Sequence, residues 1–320
     1  GQYSYTYKDS LLEAAHKATA EIYTLENDKI KADYTTRGGQ VYQVEIKDYY
    51  TYDSLALNLV KGGQSDFGVE FYSHQMINTK NFTYSMVSHN DSSLVMRLNF
   101  DEDSYIEHVY SLPSESYLVN FDFRLVNMEQ YISQNATLFD VDWRLNIPRL
   151  EKGYDNERNY STIDYRYPGD EVENLGLRRE SSSKEITTKL SWFAFQQQFF
   201  SAILRAKNDF TSGNLSYAFF KENDPSANLM QCHANMEVAY NPEGSVVTIP
   251  FEFYFGPNHF RTLREYDQEY EKIIPLGGWL VNWINRIVII PTFDFLSKFI
   301  GNFGIIILLM TIMLKIVISP

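Results

Sequence analysis

Cysteine occurs once, at Cys232, which excludes an intrachain disulfide framework and a cysteine-based metal cluster. Glycine and proline are sparse, 16 and 10 of 320 residues, which excludes collagen-like and low-complexity classes. Cations are in deficit, 28 Lys and Arg against 41 Asp and Glu, and a net charge of −13 argues against any phosphate-tracking surface. No nucleic-acid partner is therefore expected. Among the six histidines no pair has H-x-x-x-H spacing, and Cys232-His233 lacks a second ligand pair, so it reads as buried or structural. Gly38-Gly39 and Gly62-Gly63 lack the GxxxxGK context of a phosphate loop and read as turns. No G-x-S-x-G elbow is present, and the acidic groups Asp101-Glu102-Asp103 and Asp140/Asp142 read as solvated loops or strand faces. These absences leave no catalytic residue, metal site or cofactor to expect, and the chain does not read as an enzyme.

What is present is apolar and aromatic. Hydrophobic residues make up 44% and aromatics 16%, with 24 Tyr and 22 Phe, which favours strands over helices. Between residues 23 and 255, short alternating runs recur between turn signals. Residues 31–46 break at Gly38-Gly39 like a hairpin, and 93–100, 105–112 and 117–127 follow at intervals of about a dozen residues. Further runs occupy 138–147, 189–204, 215–220, 234–240 and 245–256. No strand–helix alternation suggests a parallel sheet, so two packed antiparallel sheets are expected. Residues 149–185 read as a long irregular excursion, and helices are expected only near the ends, over 10–22 and 261–274.

The charge is unevenly placed: residues 1–275 carry a net −15 and the last 45 a net +2. No charged residue lies between 299 and 314, where the sequence runs FIGNFGIIILLMTIML before Lys315. From 303 to 320 a helix would rise ~27 Å, close to a bilayer core of ~30 Å. A transmembrane helix is expected there. Upstream, Trp279, Leu280, Trp283, Ile284, Ile287 and Val288 recur at three- and four-residue spacing, with Asn282, Asn285 and Arg286 on the other side. That pattern suits an amphipathic helix lying in the membrane interface, ended by Pro291.

Several motifs resemble the YidC/Oxa/Alb family of membrane-protein insertases, in its Gram-negative bacterial type. The tail is similar to the family's second transmembrane segment, with Asn302, Phe303, Gly304, Thr311, Lys315 and Pro320 at its marked places. Phe303 stands for a family Trp and Lys315 for a family Arg. TTRGGQV (35–41), WFAFQQQFFSAIL (192–204) and YFGP (254–257) resemble recurrent motifs of the family's periplasmic domain. The resemblance implies a twisted double β-sandwich, the supersandwich shape shared with sugar mutarotases, followed by C-terminal helices, an interface helix and one transmembrane helix. It implies an insertase and chaperone for inner-membrane proteins, acting alone or with the Sec translocon. Its partners would be nascent membrane proteins, SecD/SecF accessory subunits and the lipid bilayer. The mutarotase-like shape also raises an alternative, a carbohydrate-binding or mutarotase-like periplasmic domain anchored to the membrane.

On this reading residues 1–22 are a linker and helix after an N-terminal anchor outside the sequence, and 23–258 the periplasmic β domain. A connecting helix follows over 259–275, the interface helix region over 276–300 and the transmembrane helix over 301–320. Residues 1–275 would lie in the periplasm and the rest at or in the bacterial inner membrane. A cation within a span marks a functional site. The sequence alone leaves Lys315 either snorkelling to the cytoplasmic surface or facing a water-filled groove. The resemblance implies the groove, with Lys315 and Thr311 meeting acidic parts of an incoming substrate.

Overall fold

The computed structural model describes residues 10–274 and 285–318. The chain divides into two compact units, residues 1–273 and 274–320. In the first, nineteen described strands form three sheets. Every pairing is antiparallel. The four-stranded sheet holds β1 (Ile22–Glu26), β2 (Ile30–Thr35), β3 (Gln40–Tyr50) and β4 (Ala56–Val60) in sequence order. The six-stranded sheet is ordered β14 (Ser181–Ile186), β17 (Ser212–Phe219), β18 (Asn228–Ala239), β11 (Leu138–Pro148), β5 (Ser65–Tyr72), β6 (Met76–Asn78). The nine-stranded sheet begins with β13 (Val172–Asn174), β12 (Thr162–Arg166), β15 (Leu190–Gln196) and β16 (Phe200–Phe210). It continues through β19 (Val246–Pro257), β10 (Leu118–Val126), β9 (Tyr105–Ser111), β8 (Ser93–Asn99) and β7 (Ser85–His89).

The alternation that marks strands in the sequence is the alternation of burial. In β10, Val119, Phe121, Phe123 and Leu125 point inward and their neighbours outward, as the period of two requires. The two large sheets meet through these inward rings. Phe67 of β5 lies 5.6 Å from Phe121 and 5.7 Å from Phe253 of β19, and Trp143 of β11 lies 4.6 Å from Phe195 of β15. The fold is a β-sandwich with an aromatic core. The smaller sheet joins it where Tyr34 of β2 meets Tyr110 of β9 at 4.5 Å.

The two-sheet expectation needs three corrections. A third, four-stranded sheet is present. The supposed excursion over 149–185 carries a short helix, α2 (Tyr154–Asn159), and β12, β13 and β14. Strand β12 is buried on both faces at its first four positions, so it shows no alternation to read. The terminal helices are also shorter than expected: α1 spans Ser10–Lys17, and Ile22 already belongs to β1. The expected 261–274 helix is two pieces, α3 (Phe260–Glu265) and a 3-10 turn (Tyr270–Ile273), parted where Asp267 and Glu269 take positive φ.

Candidate functional site

The three β-domain motifs hold the chain where segments meet. In TTRGGQV the turn between β2 and β3 places Gly39 at φ +56° with its carbonyl accepting from the Tyr110 hydroxyl at 2.8 Å and lying 2.8 Å from His108 Nδ1. A Cβ on Gly39 would meet His108 Nδ1 at 2.8 Å, so both backbone and space select glycine. His108 is fully buried against Tyr84, and burial brings its pKa down to about 4, so it is a neutral core residue. In WFAFQQQFFSAIL the glutamines tie separate segments together at the β15–β16 turn. Gln196 donates to the Ile273 carbonyl at 3.1 Å, Gln197 to the Pro148 carbonyl at 2.7 Å, and Gln198 accepts from Asn156 at 3.3 Å.

Beyond YFGP the chain leaves β19 beside this turn, because Asn258 N donates to the Phe199 carbonyl at 2.7 Å. It then runs along the sheet, where Trp192 Nε1 donates to the Gln268 carbonyl at 3.0 Å and Tyr270 packs edge-on to Trp192 at 5.2 Å. Tyr270 and Leu263 are fully buried in this strap. Through Gln196 and Ile273 the strap returns to the β15–β16 turn. The β unit therefore ends at the same tip at which the strap began.

The outer face of the six-stranded sheet is polar and brings together residues that the sequence holds far apart. His233 Nε2 lies 2.6 Å from Asp142 Oδ2, with Lys80 Nζ and Arg144 Nε at 3.5 and 3.6 Å from the other oxygen. Burial pushes the Asp142 carboxyl up, but the His233 hydrogen bond and the neighbouring cations outweigh it and hold the group below its usual range. One rung away Glu70, Asp140 and Glu237 stand side by side across β5, β11 and β18. Burial and those two neighbours raise Asp140. His233, Asp140 and Glu237 line an open depression of about 630 Å³. A His–Asp pair supports proton transfer, and sequence spacing offers no sign of it because strand register across 91 residues creates the contact. The described residues place no three His, Cys, Asp or Glu side chains in an arrangement that holds a metal.

In the second unit, Trp279, Leu280, Trp283 and Ile284 lie outside the described residues. Ile287 is exposed and Val288 half-buried, in a π-helical turn (Asn285–Ile289) that passes into an α-helix (Ile290–Ser297). Pro291 marks this change of helix type and does not stop the helix: it stands in the first turn of the α-helical part, where its fixed φ is compatible with the helix. Thr311 and Lys315 share one face of the helix Phe303–Ile318 at four-residue spacing, both exposed, with Thr311 Oγ1 donating to the Ile307 carbonyl at 2.7 Å. That helix has 16 described residues, ~24 Å by rise. Among the described residues no helix is long and apolar enough to cross a membrane.

A family profile described as the YidC periplasmic domain matches residues 22–290, most of the chain. The chain belongs to the YidC family. Proteins named membrane protein insertase YidC match this YidC-family chain along its length. The one from Bacteroides fragilis is 33% identical over 318 residues, covering 97% of this chain and 51% of that protein. Those from Parabacteroides distasonis and Porphyromonas gingivalis are 32% and 31% identical, covering 94% and 97% of this chain and 49% and 51% of theirs. The YidC-family chain thus spans about half the length of the curated relatives it matches. Among solved structures, a galactose mutarotase related enzyme from Lactobacillus acidophilus overlaps 74% of this chain and 97% of its own at TM-score 0.47 and 11% identity. A putative aldose 1-epimerase from Escherichia coli K12 overlaps 75% and 100% at TM-score 0.46 and 12% identity.

Proposed function

We propose that this chain is the periplasmic domain and first membrane-entering part of an inner-membrane protein insertase. The observation that carries the reading is the joining of a YidC-family β-sandwich to a helix whose 16 residues include one charge, Lys315. Residues 1–275 form the periplasmic part, of supersandwich type over 23–258, with 259–275 connecting. Trp279, Leu280, Trp283, Ile284, Ile287 and Val288 lie in the outer interface, and 303–320 cross inward. Lys315 then sits about 18 Å along the helix from Phe303, in the cytoplasmic half. There it and Thr311 line a hydrated groove that draws acidic residues of nascent membrane proteins. Lysine supplies charge without the planar fork of arginine, so carboxylate contacts are less directional. The β domain serves as a docking and positioning module for the Sec translocon and SecD/SecF, and it performs no catalysis.

A photo-crosslinker placed at Thr311 of the full-length protein tests the groove. A nascent inner-membrane protein should be captured, and Lys315→Glu should reduce capture while Lys315→Arg keeps it. Equal capture by all three forms contradicts the electrostatic role. The second reading, sugar binding at the depression lined by His233, Asp140 and Glu237, is favoured only by the Asp142–His233 acid–base pair, whose histidine lines it. Calorimetry with monosaccharides that gave saturable heat, lost in His233→Ala, would establish it in place of the docking role.

A further inference from the structure

The tip of the β unit at which the chain departs carries an exposed aromatic corner. The end of β3 and the turn after it present Tyr50 at 68%, Tyr52 at 56% and Leu55 at 62% exposure, and the β15–β16 turn presents Phe199 at 50%. Scattered apolar residues need no explanation, but four large ones at one tip do. The two turns form one locality. The Tyr49 ring packs edge-on to Phe200 at 5.2 Å, Tyr52 N donates to the Leu150 carbonyl at 3.1 Å, and Gln197 holds the carbonyl of Pro148 just before it. Beside this corner, Lys61 and Arg149 line a cleft of about 300 Å³ with Thr51, Tyr52 and the carboxylate-bearing Asp53.

We infer that this tip is a lipid-contacting surface, resting on the phospholipid headgroup region. The inference rests on the membrane attachment proposed above and adds a second contact, made by the β unit itself. Its occupant follows from the tether. Ile273, the last residue of the β unit, is bonded to Gln196 at the root of the same turn, and the apolar C-terminal sequence begins directly after it. If that sequence is held by a bilayer, the tip nearest the tether is the part brought to the headgroups. Tyrosine suits that boundary, with an apolar ring and a hydroxyl for water, and the two cations of the adjacent cleft, set against the single carboxylate of Asp53, suit phosphate. The exposed Tyr72 and Met76 lack this placement: they pair at the opposite end of the six-stranded sheet, beyond the rung of Glu70 and Asp140.

The test is spin labelling of the full-length protein in nanodiscs of phosphatidylethanolamine and phosphatidylglycerol. Single labels at Tyr50→Cys and Phe199→Cys are compared with Met76→Cys and, in the apolar helix, Leu309→Cys. Native Cys232 is fully buried with its thiol pKa pushed up, so it does not compete for label. Relative accessibility to oxygen over a water-soluble nickel chelate should be several-fold higher at positions 50 and 199 than at 76, and highest at 309. A lipid-like value at 309 with water-like values at 50 and 199 overturns the tip contact while leaving membrane attachment intact, and makes the corner a protein-docking face. A water-like value at 309 overturns both.

Discussion

At the scale of single residues, the motifs that mark the family act mainly on geometry. Gly39 is required twice over, by its positive φ and by the His108 ring beside it. Gly39→Ala should destabilise the chain by about 1–3 kcal/mol, read as a lower urea midpoint in mild detergent with an unchanged slope. Glu157 makes a pH dependence. Its Oε1 accepts from Leu150 N at 2.9 Å, its Oε2 has no partner, and burial raises its pKa to about 7 from an ordinary 4.5. The folded state then holds a proton that the unfolded chain releases between those values. The resulting stability is present in full below about pH 4.5 and lost as pH rises through 7. Glu157→Gln should remove that slope, gaining on the wild type by on the order of 3 kcal/mol between pH 5 and 8, as urea titrations at each pH would record. A stability difference between wild type and Glu157→Gln that stayed constant across that range would contradict the assignment.

At the scale of elements, legibility followed exposure. Strands with one wet face, such as β8 and β10, show clean alternation and stand out in the sequence. β12 does not, because Thr162 and Asp164 are buried along with Ile163 and Tyr165. β14 is equally hidden, since its serines carry no apolar periodicity. The run over 189–204 reads as one strand but is two, and the turn within it is closed by glutamine bonds to remote segments that no local pattern encodes. The strap is a similar case: a charged stretch suggested one helix, whereas Leu263 is buried, Tyr270 packs against Trp192 of β15 and Tyr254 of β19, and the helix breaks in two between them. Tyr270→Ala removes a fully buried ring and should cost about 3–5 kcal/mol locally. Limited proteolysis should then cut within 266–273 well before the β sheets, whereas simultaneous loss of both would mean that the strap and sandwich unfold as one unit.

At the scale of the whole molecule, sequence identified the β-rich body, the apolar tail and the family, because each depends on composition or on motifs contiguous in the chain. It did not reveal the Asp142–His233 contact or the aromatic tip, which strand register and the returning strap assemble from distant segments. The central claim is the topology that makes these parts one device: a β sandwich outside the inner membrane and an apolar helix entering it. Glu243 lies exposed on the β18–β19 connection, at the end of the sandwich away from the strap's tip, and suits a reporter. In whole cells with a permeabilised outer membrane, full-length Glu243→Cys should react with an impermeant maleimide while the inner membrane is intact. Reaction only after the inner membrane is opened would contradict the account.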